Sequence, residues 1–267
     1  MTDAPSPSRR GASIAATGIT KIYGSGASAH HALGPIDLNV APGEFVSLIG
    51  PSGCGKSTTL LLVSGLEPAT DGTILVDDKR LTAPIRDVGI VFQDHLLLEF
   101  RTALANVMLQ QEIRRLDRRT MTAQAEALFD KLGLKGAENR YPWQLSGGMR
   151  QRVSIARALV HEPSMLLMDE PFGALDAITR TQIRHDLEML WLDTQKTVLF
   201  ITHSIEEAVG LSDRVLVMSK SPGTIVDEIV IDLPRPRPAH LGEYPEFSRY
   251  AKRIYEIFER LGVYHFQ

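Results

Sequence analysis

The sequence predicts an α/β fold: a mostly parallel sheet with a helical lobe inserted part-way along the chain. Three observations predict it. Short, apolar, β-prone runs recur at Phe45–Ile49, 88–92, 165–168, 198–202 and Arg214–Met218, each long enough for a buried strand and too short for a helix. Helical patterns at 178–192 and 205–211 separate the later runs, the alternation of a parallel sheet. Between about residues 94 and 143, strand signals are few and helix formers many.

In chain order, residues 1–11 are rich in Pro, Ser and Arg and read as a disordered leader. Ile14–Tyr23 reads as a strand, with turns at Gly24-Ser25-Gly26 and Pro42-Gly43. Residues 56–65 form a helix closed by Gly65. Within the insertion, 121–132 is amphipathic, with Ala125, Leu128, Phe129 and Leu132 on one face. Ser221-Pro222-Gly223-Thr224 turns a late hairpin whose second arm is 225–231. Pro234, Pro236 and Pro238 make a stiff linker. Residues 247–261 then resume a helical pattern, whose stripe of Tyr250, Ile254, Ile257 or Phe258, and Leu261 is expected to pack on the chain's own sheet, the alternative being a tail that regulates the dimer.

The 267 residues are 43% hydrophobic and 23% charged, enough for a sizeable core. With a net charge of -3, nothing global points to nucleic acid or to an anionic membrane surface, which leaves room only for a local basic patch. One cysteine, Cys54, cannot form an internal disulfide, which fits a reducing compartment. No run approaches the roughly 18 apolar residues of a membrane span, and no apolar signal core follows Arg9 and Arg10. The expectation is a soluble chain that stays in the cytoplasm and reaches a membrane only through a partner.

Gly50-Pro51-Ser52-Gly53-Cys54-Gly55-Lys56-Ser57 matches G-x-x-x-x-G-K-[ST] between a strand and a helix, the context of a P-loop. A triphosphate needs many donors at close range. Glycines let backbone N–H groups converge on its oxygens, and the following helix aims its positive end there. Lys56 is expected at the β- and γ-phosphates, with the Ser57 hydroxyl on Mg²⁺ and Thr58 completing the loop. Cys54 reads as a tolerated small side chain rather than a redox sensor.

Residues 165–168 run into Asp169-Glu170. Asp169 is the candidate Mg²⁺ ligand. Neighbours on an extended chain diverge, so Glu170 can face the γ-phosphate and a water as general base. Gln93 and His203 also follow strands and fall on the same edge, where ligands of open α/β sheets bind. Gln93 suits a residue joining water, Mg²⁺ and a moving lobe; His203 suits one that touches the γ-phosphate and holds the attacking water.

With these residues together the sequence resembles the ATP-binding subunits of ABC transporters. The deciding segment is Leu145-Ser146-Gly147-Gly148-Met149-Arg150-Gln151-Arg152, similar to the family's signature L-S-G-G-x-x-Q-R and lying between the P-loop and the acid pair. The resemblance implies a P-loop core with an antiparallel N-terminal β region, an ATPase domain over 12–237 with its helical subdomain inserted at about 94–150, and a helical extension over 238–267. It implies that Tyr23 stacks on adenine, Gln93 is the Q-loop, Asp176 the D-loop and His203 the switch histidine. Ser146 with the N–H groups of Gly147 and Gly148 would cap ATP held by a second copy, giving a head-to-tail homodimer with ATP and Mg²⁺ at its interface. Arg150 and Arg152 read as structural.

The nearest subfamily resemblance is to importers of nitrate, sulfonates and taurine, carried by residues 140–145, 171–176 and 233–237. It implies transmembrane permease subunits as partners, a periplasmic or extracellular solute-binding protein acting indirectly, and a peripheral place on the cytoplasmic face of the inner membrane. Glu99-Phe100 departs from the Pro-Trp frequent in that group, on the surface expected to meet the permease. The alternative is a soluble ABC ATPase of DNA repair or translation, which would carry two cassettes or a long coiled-coil insertion.

Overall fold

The computed structural model describes residues 11–263. Of the expected leader only Gly11 is among them, and it is buried where an added Cβ would strike Thr197. Two sheets carry the fold. The larger has six strands in the order β10(Ile225–Val230), β9(Arg214–Met218), β3(Phe45–Ile49), β8(Thr197–Thr202), β7(Met165–Asp169), β6(Val88–Val91). All its pairings are parallel except β9 with β10. Every residue of β3 and β8 is buried, which is why these strands read as continuous apolar runs.

The smaller sheet is antiparallel, in the order β2(His30–Val40), β1(Ile14–Tyr23), β4(Asp71–Val76), β5(Lys79–Arg80). In β2 the residues Ile36, Leu38 and Val40 face inward and Asp37 and Asn39 outward. Gly34-Pro35 hides this strand in the sequence, yet β2 is an edge strand, where proline costs no ladder bond.

α1(Lys56–Ser64) follows β3, and Gly65 caps it in the left-handed conformation (φ 75°). The insertion holds α2(Ala103–Val107), α3(Leu109–Arg114) and α4(Arg118–Lys131), the last capped by Asp117. α5(Gly147–Leu159) leaves this lobe and ends against β6, where a Cβ on Gly89 would collide with the Ala158 carbonyl. The expected lobe boundary near residue 150 thus falls inside one helix. α6(Ala177–Thr194) and α7(Ile205–Leu211) flank β8 in sequence.

α8(Pro245–Arg260) buries Tyr250, Ile254, Ile257 and Phe258 in a cluster with Val215, Val217 and Ile229 of the sheet. The segment before it is anchored too. Arg237 is 2% exposed and donates to the carbonyls of Val209 (2.7 Å) and Ser212 (2.8 Å), while its N–H reaches Glu188. Arg235 pairs with Glu188 (3.0 Å) and Asp213 (2.9 Å). The C-terminal carbonyls of α7 are therefore capped by arginines from the tail.

Candidate functional site

The site is built at the carboxyl edge of the larger sheet. β3 ends at Ile49 and the chain turns through residues 50–55 into α1. Gly55 has φ 100°, and a Cβ there would lie 2.7 Å from the Ala32 carbonyl, so only glycine lets the loop nest against β2. Lys56 is 5% exposed; its ammonium donates to the carbonyls of Gly50 (2.9 Å) and Pro51 (3.0 Å) and lies 3.9 Å from Glu170 Oε1. Cys54 Sγ packs against Gly50 and is buried, and burial raises its thiol pKa against the pull of Lys56. A buried thiol held protonated is no redox sensor.

Asp169 and Glu170 diverge, by a different route from the one expected. Glu170 is not extended: its φ of 43° puts a non-glycine residue in the left-handed region, at a cost of about 1–2 kcal/mol. Its N–H still bonds to the Ile201 carbonyl (2.9 Å), so the twist sits at the end of the sheet. The carboxylate is thereby placed between Lys56 and His203, with Oε2 2.9 Å from His203 Nδ1. Strain of this kind persists where the surroundings over-determine it, here the Ile201 carbonyl, Lys56 and His203.

Asp169 faces the other way, toward Ser57. Its pKa is raised, chiefly by burial, with the Ser57 hydroxyl opposing and the Glu170 charge adding to the rise. Its Oδ1 is buried with no hydrogen-bond partner. An orphaned carboxylate oxygen beside a hydroxyl fits a hard cation. Among the described residues no cluster of three or more acidic, His or Cys side chains forms a cage. A cation here would take few protein ligands and complete its shell with phosphate and water, the habit of Mg²⁺.

Gln93 lies just past β6, and its Nε2 and Glu170 Oε2 are both 4.0 Å from where a Cβ on Gly173 would sit. His203 follows β8 and its side chain is 56% exposed. Tyr23 ends β1 and pairs with His30 of β2, the strand whose Ala32 abuts the P-loop. Its ring is partly exposed, with the Lys21 ammonium 4.9 Å from the centroid. P-loop, Asp169, Glu170, Gln93 and His203 thus share the carboxyl edge of the larger sheet, and Tyr23 stands at the end of β1 in the smaller one.

Ser146, Gly147 and Gly148 do not join them directly. They open α5 beside Leu175 and Thr179, at a helix start rather than a strand end. Ser146 caps the helix by accepting from the Met149 N–H (3.2 Å), which leaves its own proton to donate. The two glycines differ. A Cβ on Gly148 would collide with Thr179 of α6, whereas one on Gly147 would meet only Leu175, at 3.9 Å. Among the described residues nothing requires glycine at 147. Asp176 caps α6 by accepting from the Thr179 N–H (3.0 Å), which lowers its pKa.

Sequence reasoning passed over several supports. Gln151 is fully buried and its Oε1 meets His95 Nδ1 (2.7 Å), while Arg157 donates to the carbonyls of His95 (2.8 Å) and Leu96 (2.6 Å). The signature helix thereby grips the segment after Gln93. Glu207, nearly buried, accepts from Thr202 next to His203, and burial raises its pKa. Gln151 stood in the signature itself; the others gave no sequence signal. Arg152 bonds to the Leu132 carbonyl and Asp186, and Arg150 to the Pro142 carbonyl, both structural.

Residues 33–173 match the ABC transporter family. The chain belongs to the ABC transporter family. It is 44% identical over 241 residues, 90% of this chain and 89% of the relative, to an ABC transporter ATP-binding protein of Methanocaldococcus jannaschii. It is 37% identical to an aliphatic sulfonates import ATP-binding protein of Bacillus cereus, over 94% of this chain and 97% of the relative. It is 44% identical to a taurine import ATP-binding protein of Escherichia coli, over 76% of this chain and 80% of the relative. Among solved structures, a dimeric ABC transporter cassette superposes with a TM-score of 0.73 at 33% identity, covering 83% of this chain and all of that one. Another structure of that cassette is a post-hydrolysis state bound to ADP and phosphate (TM-score 0.72, 32% identity, the same coverage). The ABC fold accounts for both sheets and the inserted lobe. No helix among the described residues is long and apolar enough to cross a membrane.

Proposed function

We propose that this chain is the ATP-hydrolysing subunit of an ABC importer and works as a head-to-tail pair on the cytoplasmic face of the inner membrane. The observation that carries the reading is the strained Glu170, poised between Lys56 and His203 at the P-loop. The open approach to Gly147 supports the pairing, because a side chain there would meet only Leu175, at 3.9 Å, among the described residues, which leaves room for a second molecule to come close.

The roles follow from placement. Backbone N–H groups of residues 52–58 cradle the phosphates, with Gly50 and Pro51 shaping the start of the loop, Lys56 leaves the Gly50 and Pro51 carbonyls for the β- and γ-phosphates, and Tyr23 stacks on adenine. Glu170 takes a proton from the attacking water as its oxygen bonds to the γ-phosphorus, and ADP leaves on the far side. His203 holds that water and the γ-phosphate, with Gln93 beside it. Ser57, Asp169 and Gln93 would hold Mg²⁺, which would supply positive charge to neutralise the phosphates. Ser146, Gly147 and Gly148 of one copy, with Asp176 nearby, close on the ATP of its twin.

The permease is taken at 96–100, where Leu96 and Phe100 are exposed and α5 grips the segment through Arg157. A solute-binding protein outside the membrane delivers the solute without touching this chain. A small anion or zwitterion is the cargo, a sulfonate such as taurine in keeping with the relatives named for these solutes, and nitrate next. The soluble repair or translation alternative has no observation in its favour: the longest helix of the inserted lobe has 14 residues.

Glu170→Gln tests the reading. The variant should bind ATP, run as a dimer on gel filtration with ATP, and lose turnover by about 10²–10⁴-fold. A monomeric, fully active variant would sink the assignment.

A further inference from the structure

A cavity lies at the opposite end of the sheet from the nucleotide edge. Its volume is about 700 Å³, within the ~300–1,000 Å³ of small-molecule sites. Asp87, Lys196 and Val198 stand at the amino ends of β6 and β8, so it is separate from the P-loop. One wall is α4, through Ala127, Leu128 and Lys131; the other is α6, through Leu187, Leu190 and Trp191. It therefore opens between the inserted lobe and the core. The Lys131–Asp193 ion pair (2.6 Å), half exposed, joins α4 to α6 beside it.

Two features make this more than a packing gap. The first is a rigid aromatic wall. Trp191 donates from Nε1 to the Lys196 carbonyl (2.9 Å), carries the Arg235 guanidinium over its ring (4.3 Å) and meets Phe45 edge-on (5.9 Å). The second is Lys196, 9% exposed, whose ammonium has no ion pair with another described residue. Glu162 and Asp87 act on it only through space, and burial lowers its pKa. A cation drawn from water onto a wall of leucines gains most from an anion brought to it.

We propose that this cavity is a binding site for a small organic anion with an aromatic or branched apolar body, the body against Leu128, Leu187, Leu190 and Trp191 and the anionic head on Lys196. An occupant touches both α4 and α6 and so braces the lobe against the core. Binding itself does not depend on the transport role.

The test uses the full chain carrying Trp143→Phe, which leaves Trp191 as the only tryptophan of the two. The probe is anilinonaphthalene sulfonate and the control is phenylnaphthylamine, the same body without the charge. Saturable energy transfer from Trp191 to the sulfonate is expected, unchanged by excess ATP. Adding Lys196→Met should weaken it about tenfold or more, the worth of one charge-assisted contact, with the melting temperature not lowered. The uncharged control should bind at least about as much more weakly. No saturable transfer, displacement by ATP, or equal affinity for the Lys196→Met chain or the uncharged probe would each overturn the proposal.

Discussion

Replacing Asp169 with asparagine should stabilise the nucleotide-free chain while disabling it. Asp169 Oδ1 is buried without a partner, and its carboxyl pKa is raised, first by burial and then by the Glu170 charge, with Ser57 opposing. A carboxyl that holds its proton more tightly folded than unfolded costs nothing below its unfolded pKa. The cost appears as pH rises from that value through the raised folded one, and it is complete above both. Leaving a buried polar group unmet costs about 1–3 kcal/mol, and more when it is charged. Asparagine keeps an acceptor for the Ser57 hydroxyl and removes the charge, so a gain of about 1 kcal/mol is reasonable, or roughly 2–4 °C in a chain of this size. Differential scanning fluorimetry from about pH 4 to pH 8 reads this directly: the variant's advantage should be near zero at the acid end and grow with pH. With ATP and Mg²⁺ at about 100 times the dissociation constant the order reverses, because the wild type gains about 2.7 kcal/mol that the variant largely forfeits. Phosphate release should fall by on the order of 10²-fold. A variant that melts lower than wild type at neutral pH without nucleotide, or hydrolyses ATP normally, would refute the reasoning.

Two other perturbations separate packing from function. Gly147→Ala should melt as the wild type does, since an added methyl meets only Leu175, yet lose ATP-driven pairing; Gly148→Val should instead cost about 1–3 kcal/mol by pushing α5 from Thr179. Thermal melts and gel filtration with ATP give both answers, and a Gly147→Ala chain that pairs normally would remove the argument from its open approach. Ending the chain after Arg237 strips Tyr250, Ile254, Ile257 and Phe258 from the sheet, each worth about 1.5–3 kcal/mol before ordering costs. The shortened chain should melt well below wild type or aggregate; unchanged melting with altered ATPase activity would show instead a tail that regulates without supporting the fold.

Where a short stretch of chain fixes the outcome, the sequence is readable. β3, β7, β8 and β9 are apolar runs because both faces are covered, and Gly55 and Gly65 punctuate α1. β2 and β4 were harder to see, since Gly34-Pro35 interrupts one and half-buried residues make up most of the other. In the site, spacing placed the P-loop, Asp169, Glu170, Gln93 and His203 at strand ends. It could not supply the left-handed turn at Glu170, because a single φ leaves no trace in residue type when the residue is not glycine. The same holds for the Arg235–Glu188–Arg237 anchor and for Arg157 on His95, whose partners are tens of residues apart in sequence.

The central claim is that each ATP is shared, gripped by the P-loop of one chain and closed by the signature of the other. Mixing two crippled chains tests it most directly. Lys56→Ala spoils the P-loop and keeps the signature; Ser146→Arg does the reverse, at a residue exposed in the single chain. Each variant should be inactive by phosphate release. Mixed in equal amounts, they should regain turnover well above either parent, because a mixed pair contains one site built from an intact P-loop and an intact signature. A mixture as inactive as its parents, with mixed pairs shown to form, would contradict the account.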